Sequence, residues 1–130
     1  MPPSAHPALR IATRHDAEAL FAGLSGRAVE AVGFAYLGPE RRLLGLRHII
    51  GHADSATVPV ARIARDAILL SAQAVLIAHN HPDGDPRPSA ADLALTRRLA
   101  QGLDMLGVRL LDHLIFGGDH VASLRDMGTI

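Results

Sequence analysis

Apolar and polar positions fall into blocks whose period changes along the chain. In "RHDAEALFAGL", Ala17, Leu20, Phe21 and Leu24 recur at helical spacing and predict a short amphipathic helix over about 16–24. Residues 1–13, with three Pro, read as a loose lead-in to a domain over 14–130. "AVEAVGFAYLG" and "RLLGLRHIIG" are β-prone runs on either side of the turn "GPER", which predicts a hairpin over about 28–50. Beyond the "HADSATVP" loop, Val60, Ile63, Ala64, Ala67 and Ile68 line one face of a predicted helix over about 59–71, with Pro59 in its first turn. "QAVLIAH" is continuously apolar, the pattern of a strand buried on both faces. The clearest helix runs from Ser89 to about Leu106, with Leu93, Leu99, Leu103 and Leu106 among its apolar positions and Gly107 placed to end it. "VRLLDHLIF" and "HVASL", separated by "GGD", predict a closing hairpin. The order α, β, β, α, β, α, β, β, without repeats, points to a single α/β domain with a mixed sheet.

Composition narrows the chemistry. The 130 residues suit one domain, so one site on one scaffold is expected. Thirteen basic and thirteen acidic residues cancel, and no overall field gathers nucleic acid, anionic lipid or acidic substrates. Nucleic-acid binding would need a local patch, for which Arg41-Arg42 and Arg97-Arg98 are the only adjacent basic pairs. One Tyr, three Phe and no Trp supply little for stacking on bases. The absence of Cys removes disulfides, thiolate nucleophiles and Cys-ligated zinc, leaving His, Asp and Glu as strong metal ligands. No apolar run approaches the roughly 20 residues of a membrane span, and "MPPSAHPALRIATRHD" has no signal-peptide core. The expectation is a soluble, cytoplasmic protein with no membrane partner.

The chemistry-bearing stretch is "VLIAHNHPDGDPRPSAADLALTRRL". His79 and His81 stand i and i+2 at the carboxyl end of a predicted strand, so both imidazoles can point to one face, an arrangement that suits a metal. Asp92 follows in the first turn of the next helix, where its carboxylate can fold back as a third ligand. Three such ligands with a fourth position left to water is the layout of catalytic rather than structural zinc. A plainer reading competes: Ser89 and Asp92 have the S-x-x-D spacing of a helix cap, and taken alone that is the commoner meaning. His113 lies on a predicted core strand, either orienting a metal ligand or, the preferred reading, simply buried and satisfied. His48, His52 and His120 sit near loops and are read as solvated.

The joint pattern "HNHPDGDPRPSAAD" resembles the JAMM, or MPN-plus, signature of metal-dependent isopeptidases and related hydrolases. The family's upstream glutamate, in a context like E-x-x-G-x-x-x-G, is matched by "EAVGFAYLG" with Glu30, Gly33 and Gly38. The wider wording, including "ERRLLG" after the first strand, is similar to the RadC branch over roughly 28–124. The resemblance implies a single mixed-sheet JAB/MPN-like, cytidine-deaminase-like α/β domain with flanking helices. It makes His79, His81 and Asp92 the ligands of one Zn2+ per chain, Glu30 the general base and Ser89 a polar group beside the metal. Zinc lowers the pKa of a bound water to around 7, so a nearby carboxylate need only take the proton near neutrality. Without the resemblance, Glu30 would read as a solvated carboxylate at a strand start. The implied activity is hydrolysis of an amide or isopeptide bond in a peptide or protein conjugate.

The sequence also departs from the branch. Asp83 stands where Ser is usual, an added negative charge read as facing solvent, and Gly38 stands where Asp is frequent. About 27 residues precede Ala28, too few for the helix-hairpin-helix region that commonly accompanies RadC domains, which weakens the rival reading of a DNA-repair or recombination factor. A non-catalytic metal-binding scaffold is the other rival. An HNH-type nuclease is rejected because its named residues are dispersed over a ββα-metal motif, and a zinc deaminase is disfavoured because H-x-E and P-C-x-x-C are absent.

Overall fold

The computed structural model describes residues 9–50 and 58–130. Most of the "HADSATVP" loop, with His52, lies outside the described residues, as do the first eight positions. Five strands form one sheet: β1 (Ala31–Leu37), β2 (Leu43–Ile50), β3 (Ala74–Asn80), β4 (Arg109–Gly117) and β5 (His120–Ser123), in the order β2-β1-β3-β4-β5. Three α-helices accompany them: α1 (Arg14–Leu20), α2 (Val60–Leu69) and α3 (Ala90–Met105). β3 and β4 run parallel, and every other neighbouring pair is antiparallel. The domain is therefore the single mixed-sheet α/β fold expected from the pattern.

The sheet carries a core on each face. Phe34, Tyr36, Val75 and Ile77 pack with Ile63 and Ala67 of α2 and Leu95, Leu99 and Leu103 of α3. On the other face, Ala35, Leu37, Leu76 and Leu114 pack with Ala17, Phe21 and Leu24. Residues of β1 and β3 are buried along their whole length, as two covered faces require.

Several expectations about element ends and faces are corrected. α1 begins at Arg14 rather than near Asp16, because Thr13 is its cap: the Thr13 hydroxyl accepts from Asp16 N–H at 3.1 Å, and the Asp16 carboxylate accepts from Thr13 N–H at 3.1 Å. It stops at Leu20, and a 3-10 turn over Ala22–Leu24 carries Leu24 onto the sheet. Residues 9–13 are not loose: Leu43 N–H donates to Leu9 O at 2.7 Å, Ile11 N–H donates to Arg41 O at 2.9 Å, and Ile11 is buried. In α2 the predicted core position Ile68 is exposed, and Asp66 is buried instead. In α3 Leu106 lies past the helix end and is exposed, while Leu95 joins Leu99 and Leu103 in the core.

Asp66 is buried because it has partners. Its carboxylate accepts from the Tyr36 hydroxyl at 2.7 Å and from Arg47, whose Nη2 lies 2.8 Å from Oδ1, tying α2 to β1 and β2. Burial alone would raise the Asp66 carboxyl, but the Arg47 and Tyr36 bonds hold it below the ordinary value. The β1–β2 connection carries a second local demand. Glu40 and Arg41 both adopt left-handed backbone, with φ of 60° and 61°, at a cost of about 1–3 kcal/mol each. The bond to Ile11, a Gly38 N–H to Arg42 O bond of 2.8 Å and the Arg10–Glu40 ion pair hold that turn in place.

Removing one partner of a buried, hydrogen-bonded ion pair leaves the other uncompensated. Asp66→Ala is therefore expected to cost about 3 kcal/mol in urea unfolding, and Tyr36→Phe only about 1 kcal/mol. Because the folded carboxyl is depressed, this contribution is present above the ordinary Asp range near about 4 and fades as pH falls through it. The gap between wild type and Asp66→Ala should narrow accordingly in unfolding curves at acidic pH.

Candidate metal centre

The parallel β3–β4 pair needs a crossover, and α3 supplies it by running back over the sheet. Its first turn is thereby brought to the carboxyl end of β3, where His79 and His81 stand. His79 Nε2 lies 3.0 Å from His81 Nε2, 3.2 Å from Asp92 Oδ1, and His81 Nε2 lies 3.1 Å from Asp92 Oδ2. His79 and Asp92 are buried and His81 is nearly so. Asp92 is also the cap predicted from its spacing, since its carboxylate accepts from Ser89 N–H at 2.8 Å while Ser89 Oγ accepts from Asp92 N–H at 3.0 Å. The predicted cap is formed, and the same carboxylate also stands against both imidazoles.

The hydrogen-bond network assigns the imidazole tautomers. Thr96 Oγ1 donates its proton to Asp92 O at 2.8 Å, so the hydroxyl must accept from His113 Nδ1–H at 2.7 Å. Burial pushes His113 down to about 3, so it is neutral and its Nε2 accepts, at 2.7 Å, from His79 Nδ1–H. That leaves the His79 Nε2 lone pair pointing inward. His81 Nδ1–H donates to Asp85 O at 2.7 Å, which turns its Nε2 toward the same point. Two imidazole nitrogens and a carboxylate converge at hydrogen-bonding distance, a group that a shared proton or a cation completes. The donor separations of 3.0 to 3.2 Å are slightly shorter than the edges of a tetrahedral zinc site. Bonds of about 2.0–2.1 Å to a tetrahedral zinc imply edges of about 3.3–3.4 Å.

Glu30 stands one residue before β1, and one of its carboxylate oxygens joins a group with the His79 and His81 nitrogens in which all atoms lie within 4.8 Å. A groove outside the trio is bounded by Glu30, His81, Asp85 and Ser89, between the end of β3 and the start of α3. Asp83 is exposed at its rim, with its carboxylate accepting from Asp85 N–H at 2.9 Å.

Three supports went unassigned from sequence alone. Asn80, between the histidines, is buried; its Oδ1 accepts from Ala31 N–H at 2.7 Å and its Nδ2 donates to Val29 O at 3.1 Å, so it clamps both neighbours of Glu30. Thr96 and His113 form the chain behind His79, and His113 is thus both the buried, satisfied residue preferred from sequence and a partner of a candidate ligand. Gly117 seats the loop: a Cβ there would fall 2.5 Å from Pro86 N and 2.8 Å from Asp85 C, the peptide whose carbonyl orients His81. The H-x-H spacing hinted at Asn80, whose side chain must face away from its neighbours. Nothing local marked the other two.

A RadC-like JAB domain model matches residues 11–129 of this chain. The chain belongs to the RadC-like JAB domain family. A UPF0758 protein of Acidithiobacillus ferrooxidans is 43% identical over 110 residues, which make up 84% of this chain and 49% of that protein. A UPF0758 protein of Xanthomonas oryzae pv. oryzae is 36% identical over 108 residues, 82% of this chain and 48% of the relative. The chain thus spans about half the length of the curated relatives it matches. Among the described residues no helix is long and apolar enough to cross a membrane.

Second-layer partners of metal ligands are typically worth about 10–100-fold in affinity. Thr96→Val, which keeps the shape but unties His113 Nδ1, is expected to weaken zinc binding within that range in a chelator competition. Gly117→Ala should do the same by displacing the Asp85–Pro86 peptide. A variant that binds zinc as the wild type does would show that the network does not set the imidazole orientation.

Proposed function

We propose that this domain is a zinc-dependent hydrolase that cleaves an amide or isopeptide bond in a peptide or protein conjugate. The observation that carries the reading is the convergence of His79 Nε2, His81 Nε2 and the Asp92 carboxylate within 3.0 to 3.2 Å, with a Glu30 carboxylate oxygen within 4.8 Å of both imidazoles. Three protein ligands and an open groove favour a catalytic over a structural metal.

His79, His81 and Asp92 would hold the ion. Bound there, zinc supplies Lewis acidity and a water that ionises near neutral pH. Glu30, held by the Asn80 clamp on its flanking residues, is placed to take the water's proton and to deliver it to the departing amine nitrogen. Ser89 Oγ accepts from Asp92 N–H and lines the groove, so its hydroxyl proton is available to a substrate oxygen there. Donated to the carbonyl oxygen as it gains charge, one such bond is worth about 3 kcal/mol where water is excluded. The buried Asp92 keeps the ligand side dry while the groove side stays open for an extended substrate. The rival reading, a nucleic-acid factor, draws on no basic cluster at this groove: among the described residues its one lining arginine, Arg87, is paired with Asp85 at 2.6 Å.

Purified wild-type protein supplied with zinc is expected to hold near one ion per chain by elemental analysis, and His81→Ala and Asp92→Ala to lose it. Glu30→Gln should retain the metal while losing turnover of peptide and isopeptide substrates by about 1000-fold, within the usual range for loss of a general base. Loss of the metal in Glu30→Gln would make Glu30 a ligand instead. A wild-type protein that takes up no metal would overturn the hydrolase reading.

A further inference from the structure

A second cavity lies on the other face of the sheet from the histidines. It measures about 290 Å³, close to the lower bound for small-molecule sites. Its floor is apolar, with Ile11, Leu76 and Leu114 all buried. Four arginines line it, Arg14, Arg41, Arg109 and Arg125, against two aspartates, Asp112 and Asp126. In a chain whose charges otherwise cancel, this is a local excess of positive charge facing a concave surface.

The charges are not equivalent. Arg14 is bound to Asp126 at 2.6 Å and Glu18 at 2.9 Å. Arg125 donates to the Leu111 and Leu110 carbonyls, and the Asp112 carboxylate is occupied by Ser123 Oγ, His113 N–H and Arg125 N–H. Arg41 and Arg109 have no acidic partner among the described residues. Arg41 is moreover presented from left-handed backbone, and such strained positions cluster at ligand clamps and functional sites. Two unneutralised guanidiniums at the rim of an apolar hollow match a ligand with an anionic head and a short apolar body, because the planar fork recognises carboxylate and phosphate alike.

We propose that this cavity binds a small amphiphilic anion, its carboxylate or phosphate held by Arg41 and Arg109 and its apolar part resting on Leu76 and Leu114. A nucleic-acid backbone fits less well, since the concave floor is apolar and offers a phosphodiester chain nothing beyond the rim.

The test titrates the full chain with hexanoate, hexyl phosphate, inorganic phosphate, hexanol and a single-stranded DNA 10-mer, following backbone amide resonances. Saturable one-to-one binding of hexanoate or hexyl phosphate is expected, shifting Ala12, Thr13, Leu111 and Arg125. Whichever head binds tighter identifies the ligand class. Hexanol and inorganic phosphate should each bind at least tenfold more weakly, and the double variant Arg41→Gln, Arg109→Gln should lose at least tenfold in affinity. Arg97→Gln, Arg98→Gln, on the opposite helix layer, should bind as the wild type does. If the double variant does not fold, Arg109→Gln alone, at an exposed strand start, is expected to lose a smaller but measurable part. Three outcomes overturn the proposal: no saturable shift with either anion at millimolar concentration, affinity unchanged in the folded arginine variants, or DNA binding where neither small anion binds.

Discussion

The parallel pairing of β3 with β4 is the constraint on which the site rests. Two parallel neighbours cannot be joined by a tight turn, so the chain must return over a face of the sheet, and α3 is that return. A helix so placed begins where the first strand ends. The His79–His81 strand end and the Asp92 helix start are brought together by topology before any side-chain preference acts. The loop between them is then pinned from both sides: His81 N–H donates to Phe116 O at 2.8 Å, and Gly117 leaves room for the Asp85–Pro86 peptide. The ligands come from segments whose relative position the backbone already sets, which is the preorganisation a metal site requires.

The capping box shows what local motifs can and cannot explain. α1 and α3 open on the same device, Thr13 with Asp16 and Ser89 with Asp92. Asp16 is only partly buried where it does its capping, whereas Asp92 is buried against two imidazoles. A cap is worth about 1 kcal/mol wherever it sits, while withdrawing a carboxylate from water costs several kcal/mol unless a positive charge answers it. Capping therefore accounts for the hydrogen bonds of Asp92 but not for its burial. The difference between two otherwise equal motifs is what gives the metal reading its weight.

Much of this was legible in the chain. The order of elements, the two-sided burial of β3 and the joint spacing of His79, His81, Ser89 and Asp92 follow from periodicity and motif, because each depends on residues close in sequence. Misplaced features were those set by distant partners. Asp66 lies outside the apolar face read from spacing, and its burial depends on Tyr36 and Arg47, thirty and nineteen positions away on β1 and β2. Ile11 read as lead-in because nothing nearby marks that residues 9–13 bond to the β1–β2 turn. Ile68 fitted the apolar face by angle, yet it is exposed while the adjacent Ala67 is buried in the core.

His113 is buried and satisfied, as read from the sequence, but the face it takes was not legible there. In an unbroken strand its side chain would share a face with Leu111 and Ile115, and Leu110, Asp112 and Leu114 would take the other. The observed β4 shifts register at its start: Val75 pairs with Leu110 but Leu76 pairs with Asp112, so Leu111 is an extra residue. One added residue reverses the facing of everything on one side of it relative to the other. Leu110 and His113 consequently face α3, while Leu114 faces α1. The carbonyls of Leu110 and Leu111 are taken by the Arg125 guanidinium from beyond β5, which satisfies the bulge where the ladder does not. Position 113 can reach His79 only because of that bulge, so the orientation of a candidate metal ligand depends on an arginine on the far face of the sheet. A strand read by alternation alone carries no mark of it.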